Sequence, residues 1–259
     1  MVEKTKIAMV TGAGRSIGKS VCLNLAKEGS KVVAVSRTKK DLIKLKRELD
    51  SLNNLNNLII TLDLEKKASV KTLFNKLKKN KILPDIVVNN LGGNLGLNNP
   101  LGPVDEWRKV MRLNVEIAIE INRLIIPSMQ KKKWGRICHL SSISALENQG
   151  SPSYCAAKSA LNAYVRSVGR YVSKDNIIMT SVMSGPVYSK GNYWDTVKKN
   201  RKGHYKKFIN ERMAIKRLAA VEEISSIVSF LCSKNSSFCV GSCFLVDGGQ
   251  GKVFYPSDF

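Results

Sequence analysis

A tyrosine and a lysine stand four positions apart in this sequence, and their side chains could move a proton together. On a helix, Tyr154 and Lys158 would share one face. A tyrosine hydroxyl, whose pKa is about 10, is a poor acid or base at neutral pH. A neighbouring ammonium lowers that pKa because it stabilises the phenolate. Ser142, twelve residues before the tyrosine and just past an apolar run, offers a further hydroxyl. The three residues predict an acid–base site.

Other interpretations of this region stay open. A Tyr-x-x-x-Lys spacing on its own is usually an ordinary helix surface. Ser141 rivals Ser142, because both directly precede Ile143. His139 lies within a strand-like run, where a core role is commoner than a catalytic one, and His204 lies among lysines and is expected to be exposed. Further motifs elsewhere in the sequence are needed to decide between these interpretations.

A glycine-rich turn follows the first apolar run, and its residues are Gly12, Gly14, Arg15, Ser16, Ile17 and Gly18. The apolar face of a helix, at Val21 and Leu25, begins directly after it. Such a turn lets the backbone approach a pyrophosphate, which the helix N-terminus also attracts. The spacing differs from G-x-G-x-x-G because position 17 is isoleucine. A glycine-rich turn alone is a weak signal for a nucleotide, so other residues must support it.

Strand-like apolar runs recur along the chain, at residues 7–10, 31–35, 58–62, 85–88, 136–140, 177–182 and 243–246. Between them the apolar positions have helical spacing, as at Leu42, Leu45 and Leu49. This alternation predicts an α/β Rossmann fold, in which helices flank a doubly wound, seven-stranded parallel sheet. We expect one catalytic domain over residues 1–259. Residues 187–217 interrupt this alternation of strands and helices, and we expect them to form an insertion that covers the substrate as a lid.

The formal net charge is +23, from 43 Lys and Arg against 20 Asp and Glu, which raises the question of nucleic acid. The basic residues are spread over almost every segment without a recognition motif, so nucleic acid is not expected as a partner. The insertion 187–217 carries ten Lys and Arg against Asp195 and Glu211. It is either a solvated, mobile segment or a surface that attracts a substrate on an anionic carrier.

Composition narrows the class of protein further. A chain of 259 residues with 43% hydrophobic residues is not disordered, and no apolar run approaches the roughly 18 residues of a membrane helix. The start of the sequence does not support secretion, so a cytoplasmic protein without a membrane partner is expected. The six cysteines form no CxxC pair and have no pair of histidines beside them. They are expected to be buried free thiols, and no metal site is predicted.

The glycine turn is one of several motifs that occur in the same order in the short-chain dehydrogenase/reductase family, which the sequence resembles along its whole length. The other motifs are Asp63, Asn89-Asn90-Leu91-Gly92, Asn114, Ser141-Ser142, Tyr154-x-x-x-Lys158, Ser184-Gly185 with Ser189, and Val246-Asp247-Gly248-Gly249. The sequence departs from the family pattern at three positions: Ser16 replaces a glycine, Leu91 an alanine and Ser184 a proline. None of these changes touches the acid–base residues.

The resemblance implies roles for particular residues. Tyr154 would donate a proton to the nascent alkoxide, and Ser142 would hydrogen-bond the carbonyl oxygen. Lys158 would lower the pKa of the tyrosine and hold the nicotinamide ribose, and Asn114 would support a water-linked proton relay. The residues implied to bind the cofactor are Gly12, Gly14, Arg15, Ser16, Ile17, Gly18, Ser36, Arg37, Asp63, Leu64, Asn90, Gly92, Tyr154, Lys158, Gly185, Val187 and Ser189.

The residues that follow the second strand predict which nicotinamide cofactor is used. A carboxylate there would accept the ribose 2′-hydroxyl of NAD and repel a 2′-phosphate. This sequence has Ser36 and Arg37 instead, with Arg15 in the facing turn. NADP(H) is therefore predicted, each charge-assisted contact being worth about 1.5–3 kcal/mol. Alternatively, both arginines are solvated surface residues.

Three functions stay open for this chain. The resemblance is strongest to 3-oxoacyl-acyl-carrier-protein reductases, which predicts NADPH-dependent reduction of a 3-oxoacyl thioester. A second hypothesis keeps the chemistry but changes the substrate to a keto group on a nucleotide-linked or surface-polysaccharide sugar. A third is a basic nucleotide-sensing or nucleic-acid-binding protein on the same fold. Aromatic residues of the insertion could line either pocket, namely Tyr188, Tyr193, Trp194, Tyr205 and Phe208.

The resemblance also implies assembly into a homotetramer or homodimer, through the helices that carry Asn114 and Tyr154. Leu161, Val165 and Val168 give the second of these helices an apolar stripe. That stripe serves either a partner helix or the core of the same chain.

Overall fold

A computed structural model describes residues 5–252, and a parallel sheet forms its centre. Its strands are β1 (Ile7–Thr11), β2 (Lys31–Ser36), β3 (Leu58–Thr61), β4 (Ile86–Asn89), β5 (Gly135–Ser142), β6 (Ile177–Ser184) and β7 (Cys243–Val246). They lie in the order β3-β2-β1-β4-β5-β6-β7, and every neighbouring pair is parallel. The predicted doubly wound, seven-stranded Rossmann sheet is confirmed.

Helices connect the strands and cover both faces of the sheet. They are α1 (Ser16–Lys27), α2 (Lys39–Leu52), α3 (Ser69–Lys79), α4 (Val104–Met111), α5 (Ile117–Lys132), α6 (Pro152–Val172), α7 (Tyr193–Asn200), α8 (Lys202–Arg212) and α9 (Val221–Cys232). A single π-helical turn, Arg112–Glu116, joins α4 to α5. The backbone from Val104 to Lys132 is therefore one helical path with a widened turn inside it.

Alternation along the strands divides the core between the two faces. In β1, Ala8 and Val10 belong to the cluster that α1, α2 and α9 cover, whereas Met9 belongs to the cluster that α3, α5 and α6 cover. Successive strand side chains point to opposite faces, so both faces need apolar residues. This explains why the strands read as continuous apolar runs. In α6, Leu161 and Val165 are buried inside the chain. The central part of the predicted apolar stripe therefore packs against the chain's own core.

The sheet opens a crevice where its strand order reverses. β1 pairs with β2 on one side and with β4 on the other, so the connections that leave these strands run to opposite faces. In open α/β sheets, ligands bind outside the carboxyl ends of the strands at such a point. The glycine turn follows β1 and Asn90 follows β4. The topology thus brings together two motifs that are far apart in the chain.

The insertion 187–217 is mostly helical and contains α7 and α8. Its residues Ile209 and Met213 form an apolar cluster with Leu218, the residue that follows the insertion, and Trp194 packs against this cluster. Asp195 is buried, and its carboxylate accepts hydrogen bonds from the Tyr188 hydroxyl and from Lys199. The insertion is therefore held by packing and by an internal ion pair.

All six cysteines are free thiols, and four of them are buried: Cys22, Cys138, Cys155 and Cys232. Within residues 5–252, no three metal-ligating side chains converge on a site for an ion. None of the helices in this range combines the length and the apolar character needed to span a bilayer.

Candidate active site

A cavity of about 560 Å³ lies at the carboxyl ends of β1 to β4; we call it the turn cavity. The predicted cofactor residues that line it are Gly12, Gly14, Arg15, Ser16, Ile17, Gly18, Ser36, Arg37, Asp63, Leu64, Asn90 and Gly92. Asn90 fixes the glycine turn, because its side-chain amide donates to the carbonyls of Thr11 and Gly12 at 3.2 Å. The structure therefore collects residues from four βα connections around one concave space.

Two positions in the turn show why its residue types matter. A Cβ on Gly18 would lie 2.4 Å from the Gly12 carbonyl oxygen, so no larger residue fits there without moving the backbone. Ser16 has a φ of 50°, in the left-handed region that favours glycine. Ser16 therefore holds a backbone conformation that glycine adopts freely, at a cost of about 1–2 kcal/mol for a residue with a Cβ.

Carboxylates lie near Ser36, the last residue of β2, and near Arg37, the first residue after it. Arg37 is exposed and its guanidinium lies 3.3 Å from the Glu65 carboxylate. Asp41 also lines the turn cavity, close to Ser36 across Gly14. Arg15 is exposed and has no ion pair among the residues that the structure describes. The arginines expected to meet a 2′-phosphate thus lie at the cavity, but one of them already has a carboxylate partner.

A second cavity of about 370 Å³ adjoins the first; we call it the tyrosine cavity. Ser16, Ile17, Asn90 and Gly92 line both spaces, so the two form one continuous cleft. The predicted site residues that line the tyrosine cavity beyond this border are Ser142, Tyr154, Lys158, Gly185 and Val187. The elements that position them are the end of β5, the first turns of α6 and the loop after β6.

The Ser142 hydroxyl lies in the same cavity as Tyr154 and acts to lower the pKa of its phenol, although burial outweighs this effect. It also exchanges hydrogen bonds with Ser144, whose backbone N–H donates to Ser142 Oγ at 3.1 Å. Ser141 lines the cavity too, but its buried hydroxyl has no partner among the described residues. The geometry supports the choice of Ser142 over Ser141 as the partner of the tyrosine.

Lys158 is buried to 2% exposure, and its Nζ donates to the Leu140 carbonyl oxygen at 2.7 Å. Its Nζ lies 5.6 Å from the centre of the Tyr154 ring. Tyr154 and Lys158 therefore lie near each other on α6, as their spacing predicts. Gly92 leaves room for the lysine, because a Cβ there would lie 2.9 Å from Lys158 Nζ and the ammonium would have to move.

The pKa shifts differ from the sequence expectation. We expected Lys158 to lower the pKa of Tyr154, yet burial raises the pKa of Tyr154 to about 12, against a smaller opposing effect of the Ser142 hydrogen bond. Burial also lowers the pKa of Lys158 to about 7. Desolvation disfavours the charged form of both groups. In the protein without a bound ligand, Tyr154 therefore holds its proton at neutral pH.

Asn114 lies in the π-helical turn and is buried. Its side-chain amide donates to the carbonyl of Gly93 at 2.8 Å and to that of Val110 at 2.9 Å, and its Oδ1 accepts from the Gly93 N–H at 3.1 Å. A Cβ on Gly92 would lie 2.8 Å from Asn114 Oδ1. Asn114 thus holds the loop after β4 against the lysine, although it does not line either cavity.

Some of the remaining candidate residues line the cleft and others do not. Ser189 lies outside the linings of both cavities, although Val187 before it and Asn192 after it line the tyrosine cavity. Of the five aromatic residues of the insertion, Trp194 and Phe208 line the tyrosine cavity and the other three do not. His204 is exposed, as expected.

His139 is a fully buried core residue. Its Nε2 is 3.0 Å from Asn122 Nδ2 and 3.2 Å from Asn89 Nδ2, and its Nδ1 is 3.3 Å from the Thr180 carbonyl. Burial lowers the pKa of His139 to about 4. The ring is therefore neutral at physiological pH and belongs to a polar network beneath the site.

Several residues that line the cleft were not predicted from the sequence. They are Thr38, Asp41 and Glu65 in the turn cavity and Ser144, Gln149, Asn192 and Gln250 in the tyrosine cavity. Glu65 could have been suspected, since it follows Asp63 by two positions. Gln250 could likewise have been suspected, since it directly follows the Val246-Asp247-Gly248-Gly249 motif.

Known proteins with similar sequences and structures are oxidoreductases. A family model described as enoyl-(acyl carrier protein) reductase matches residues 12–250. L-xylulose reductase of Caenorhabditis elegans is 33% identical over 253 residues, which is 94% of this chain and 95% of the relative. The 3-oxoacyl-acyl-carrier-protein reductase FabG of Pseudomonas aeruginosa is 28% identical over 248 residues, which is 95% of this chain and 97% of the relative.

A solved structure with the same fold is L-sorbose reductase from Gluconobacter frateurii, complexed with NADPH and L-sorbose. Its TM-score is 0.88 at 29% sequence identity, and the match covers 96% of this chain and 97% of that one. These similarities extend over nearly the whole length of each chain.

Proposed function

Because this chain belongs to the short-chain dehydrogenase/reductase family, we propose that it reduces a ketone to an alcohol with NADPH, and that Tyr154 donates the proton. The observation that carries the proposal is the convergence of Ser142, Tyr154 and Lys158 in a cavity continuous with the one around the glycine turn. The turn is packed too closely for a Cβ at Gly18, which would lie 2.4 Å from the Gly12 carbonyl oxygen, and a glycine-rich turn at a helix N-terminus suits the pyrophosphate of a dinucleotide. The cofactor, when bound, supplies the hydride.

The residues of the tyrosine cavity polarise the carbonyl group and transfer the proton. Ser142 and the Tyr154 hydroxyl hydrogen-bond the carbonyl oxygen and polarise the carbonyl group. As negative charge develops on that oxygen, the proton of Tyr154 moves to it. Lys158 holds the nicotinamide ribose and stabilises the phenolate that remains. Asn114 keeps the loop after β4 in place and supports the water-linked return of a proton.

Cofactor preference tests the residues after β2. We expect the protein to prefer NADPH to NADH, and Arg37→Asp to reduce that preference in kcat/KM by about 10- to 100-fold, because a carboxylate replaces a charge-assisted partner of the 2′-phosphate. Glu65→Gln should act in the opposite direction and lower the KM for NADPH, since it frees Arg37 from its ion pair. Steady-state kinetics with both cofactors measures these changes. Equal use of NADH and NADPH by the unmodified protein would contradict the proposal.

For the substrate, a 3-oxoacyl thioester is one candidate. Relatives named 3-oxoacyl-acyl-carrier-protein reductase and the basic insertion support it. None of the lysines or arginines of the insertion lines the tyrosine cavity, so their charge would act on a carrier outside it. Lys199 is tied to the buried Asp195, whereas Lys202, Lys206 and Lys207 are exposed on α8.

A salt titration tests this candidate. For an acyl-carrier substrate, kcat/KM should fall steeply with salt, because the Debye length shortens from about 10 Å at 0.1 M to about 3 Å at 1 M. It should also fall in a K202Q/K206Q/K207Q variant, whereas a small neutral ketone with saturating cofactor should change little. The same salt response for both substrates would leave the basic insertion without a role in recognition.

A hydroxylated ketone, such as a sugar, is the second candidate. The observation that favours it is the number of neutral polar side chains around the tyrosine cavity, namely Ser144, Gln149, Asn192 and Gln250. An acyl chain would leave the buried Gln250 Oε1, which has no partner among the described residues, without a hydrogen bond, at a cost of about 1–3 kcal/mol. The named relatives with 33% and 29% identity, which reduce L-xylulose and bind L-sorbose, agree with this candidate.

A further inference from the structure

Two glutamines meet at the wall of the tyrosine cavity. Gln149 follows the 3₁₀ turn after β5, and Gln250 follows the glycine pair after β7. The side-chain amide of Gln250 donates to Gln149 Oε1. Both residues line the same cavity as Ser142 and Tyr154. The contact joins two segments about a hundred residues apart in the chain beside the acid–base residues.

The glutamine pair is held in place from behind. The Gln149 amide donates to the carboxylate of Glu147, and the same carboxylate accepts the backbone N–H of Lys252. Asp247 accepts the N–H groups of Gly249 and Gly251 at 3.0 and 2.7 Å, which fixes the backbone on both sides of Gln250. Both glutamines therefore have their amide donors engaged within the protein.

One acceptor of the pair has no partner. Gln250 is 5% exposed, and its Oε1 is buried without a hydrogen bond among the described residues. A buried carbonyl oxygen without a donor costs about 1–3 kcal/mol, so such groups in native proteins usually serve a ligand or water. The group that satisfies it must donate a hydrogen bond. A hydroxyl does this, and a methylene or a thioester does not.

Aromatic rings form another part of the wall. The rings of Trp194 and Phe208 lie with their centres 4.3 Å apart, tilted by 45°, and both line the cavity. Ligand pockets commonly combine apolar aromatic walls with a few placed polar groups that orient the ligand. Here the apolar wall suits the C–H face of a compact ligand, and the carboxamides suit its hydroxyl groups.

We propose that Gln250, supported by Gln149, is a hydroxyl-binding subsite that makes a polyhydroxylated ketone the substrate of this chain. The proposal rests on the proposed ketone reduction and adds the substrate class. A hydroxyl near the reacting carbonyl donates to Gln250 Oε1 while the carbonyl oxygen meets Ser142 and Tyr154. Gln250 is then a specificity residue that contacts the substrate and takes no part in proton transfer.

The test compares two six-carbon ketones, one hydroxylated and one not, and adds a thioester. NADPH oxidation is measured with a ketohexose, with 2-hexanone and with an acetoacetyl thioester, in the unmodified protein and in Gln250→Leu. We expect Gln250→Leu to lower kcat/KM for the ketohexose by about 10- to 100-fold and to leave that for 2-hexanone unchanged. Gln130→Leu is the matched control, because Gln130 lies away from the cleft and contacts Asp175. It should affect none of the substrates.

A binding measurement separates the subsite from the reaction. Calorimetric titration of the protein and NADP⁺ with the corresponding hexitol should show binding that Gln250→Leu and Gln149→Leu both weaken. If no ketone is reduced, the proposed function fails, and the titration alone decides the subsite. If 2-hexanone or the thioester is reduced as well as the ketohexose, and Gln250→Leu binds the hexitol as the unmodified protein does, the subsite is refuted while ketone reduction stands.

Discussion

Replacing Tyr154 by phenylalanine is expected to lower kcat by about 10²- to 10⁴-fold, the usual contribution of a positioned general acid. The change removes the hydroxyl that lies near Ser142 and keeps the ring. Because burial holds the pKa of Tyr154 at about 12, the group that is lost is a protonated donor rather than a phenolate base. The reduction of a ketone by NADPH, followed at 340 nm, measures the effect.

Cofactor binding supplies the internal check on this variant. The hydroxyl of Tyr154 is one contact among many in the cleft, so the dissociation constant for NADPH should change by less than tenfold. Tyr171→Phe removes a hydroxyl from an exposed tyrosine in the same helix and should retain full activity. A folded Tyr154→Phe protein with normal turnover would refute the assignment of the proton donor.

Lys158→Met is expected to reduce kcat by a similar factor while making the protein without nucleotide more stable. The ammonium group is 2% exposed, has a carbonyl partner and has no carboxylate partner among the described residues. Its burial therefore costs free energy of folding, and methionine fills the same space without that cost. Loss of the ammonium removes the group that stabilises the phenolate, so activity falls although stability rises.

The pH dependence of this stability gain follows from the pKa of Lys158. Its pKa is about 7 in the folded protein and about 10.4 in an unfolded chain. Between these values the unfolded chain binds a proton that the folded one lacks, so the lysine destabilises the fold increasingly as the pH falls from about 10 to 7. Below that range the cost is complete. Lys158→Met should thus raise Tm more at pH 6 than at pH 9.

Differential scanning calorimetry at the two pH values measures the effect, with Lys131→Met as the control, since Lys131 is an exposed lysine of α5. The control should not shift Tm in a pH-dependent way. A Lys158→Met protein that is less stable than the unmodified one at pH 6 would show that the ammonium stabilises the fold.

Much of this arrangement could be predicted from the sequence because burial leaves a periodic pattern. Strands covered on both faces must be apolar throughout, so all seven predicted runs correspond to strands and the fold class is confirmed. β5 and β6 each extend two residues beyond the predicted runs, to Ser142 and Ser184. A serine ends the apolar run in the sequence, but its backbone still pairs with the neighbouring strand.

The electrostatics could not be predicted in the same way. The spacing of Tyr154 and Lys158 indicates that they are close but does not show how deeply they are buried, and burial decides the direction of both pKa shifts. The ion pair of Arg37 with Glu65 and the contact of Gln149 with Gln250 join separate connections of the sheet. Such contacts depend on the path of the loops, which no local pattern reports.

The π-helical turn at Arg112–Glu116 makes the site sensitive to the length of the chain. A π turn contains one residue more than the α-helical turn it replaces. Deleting a single residue there would allow α4 and α5 to join as a regular helix, with no strand or helix lost. Because the widened turn already absorbs the extra residue, the helices on both sides would keep their faces, and the change would be confined to the turn that carries Asn114. Asn114 would leave the Gly93 loop, so a one-codon deletion could abolish activity in a chain that still folds.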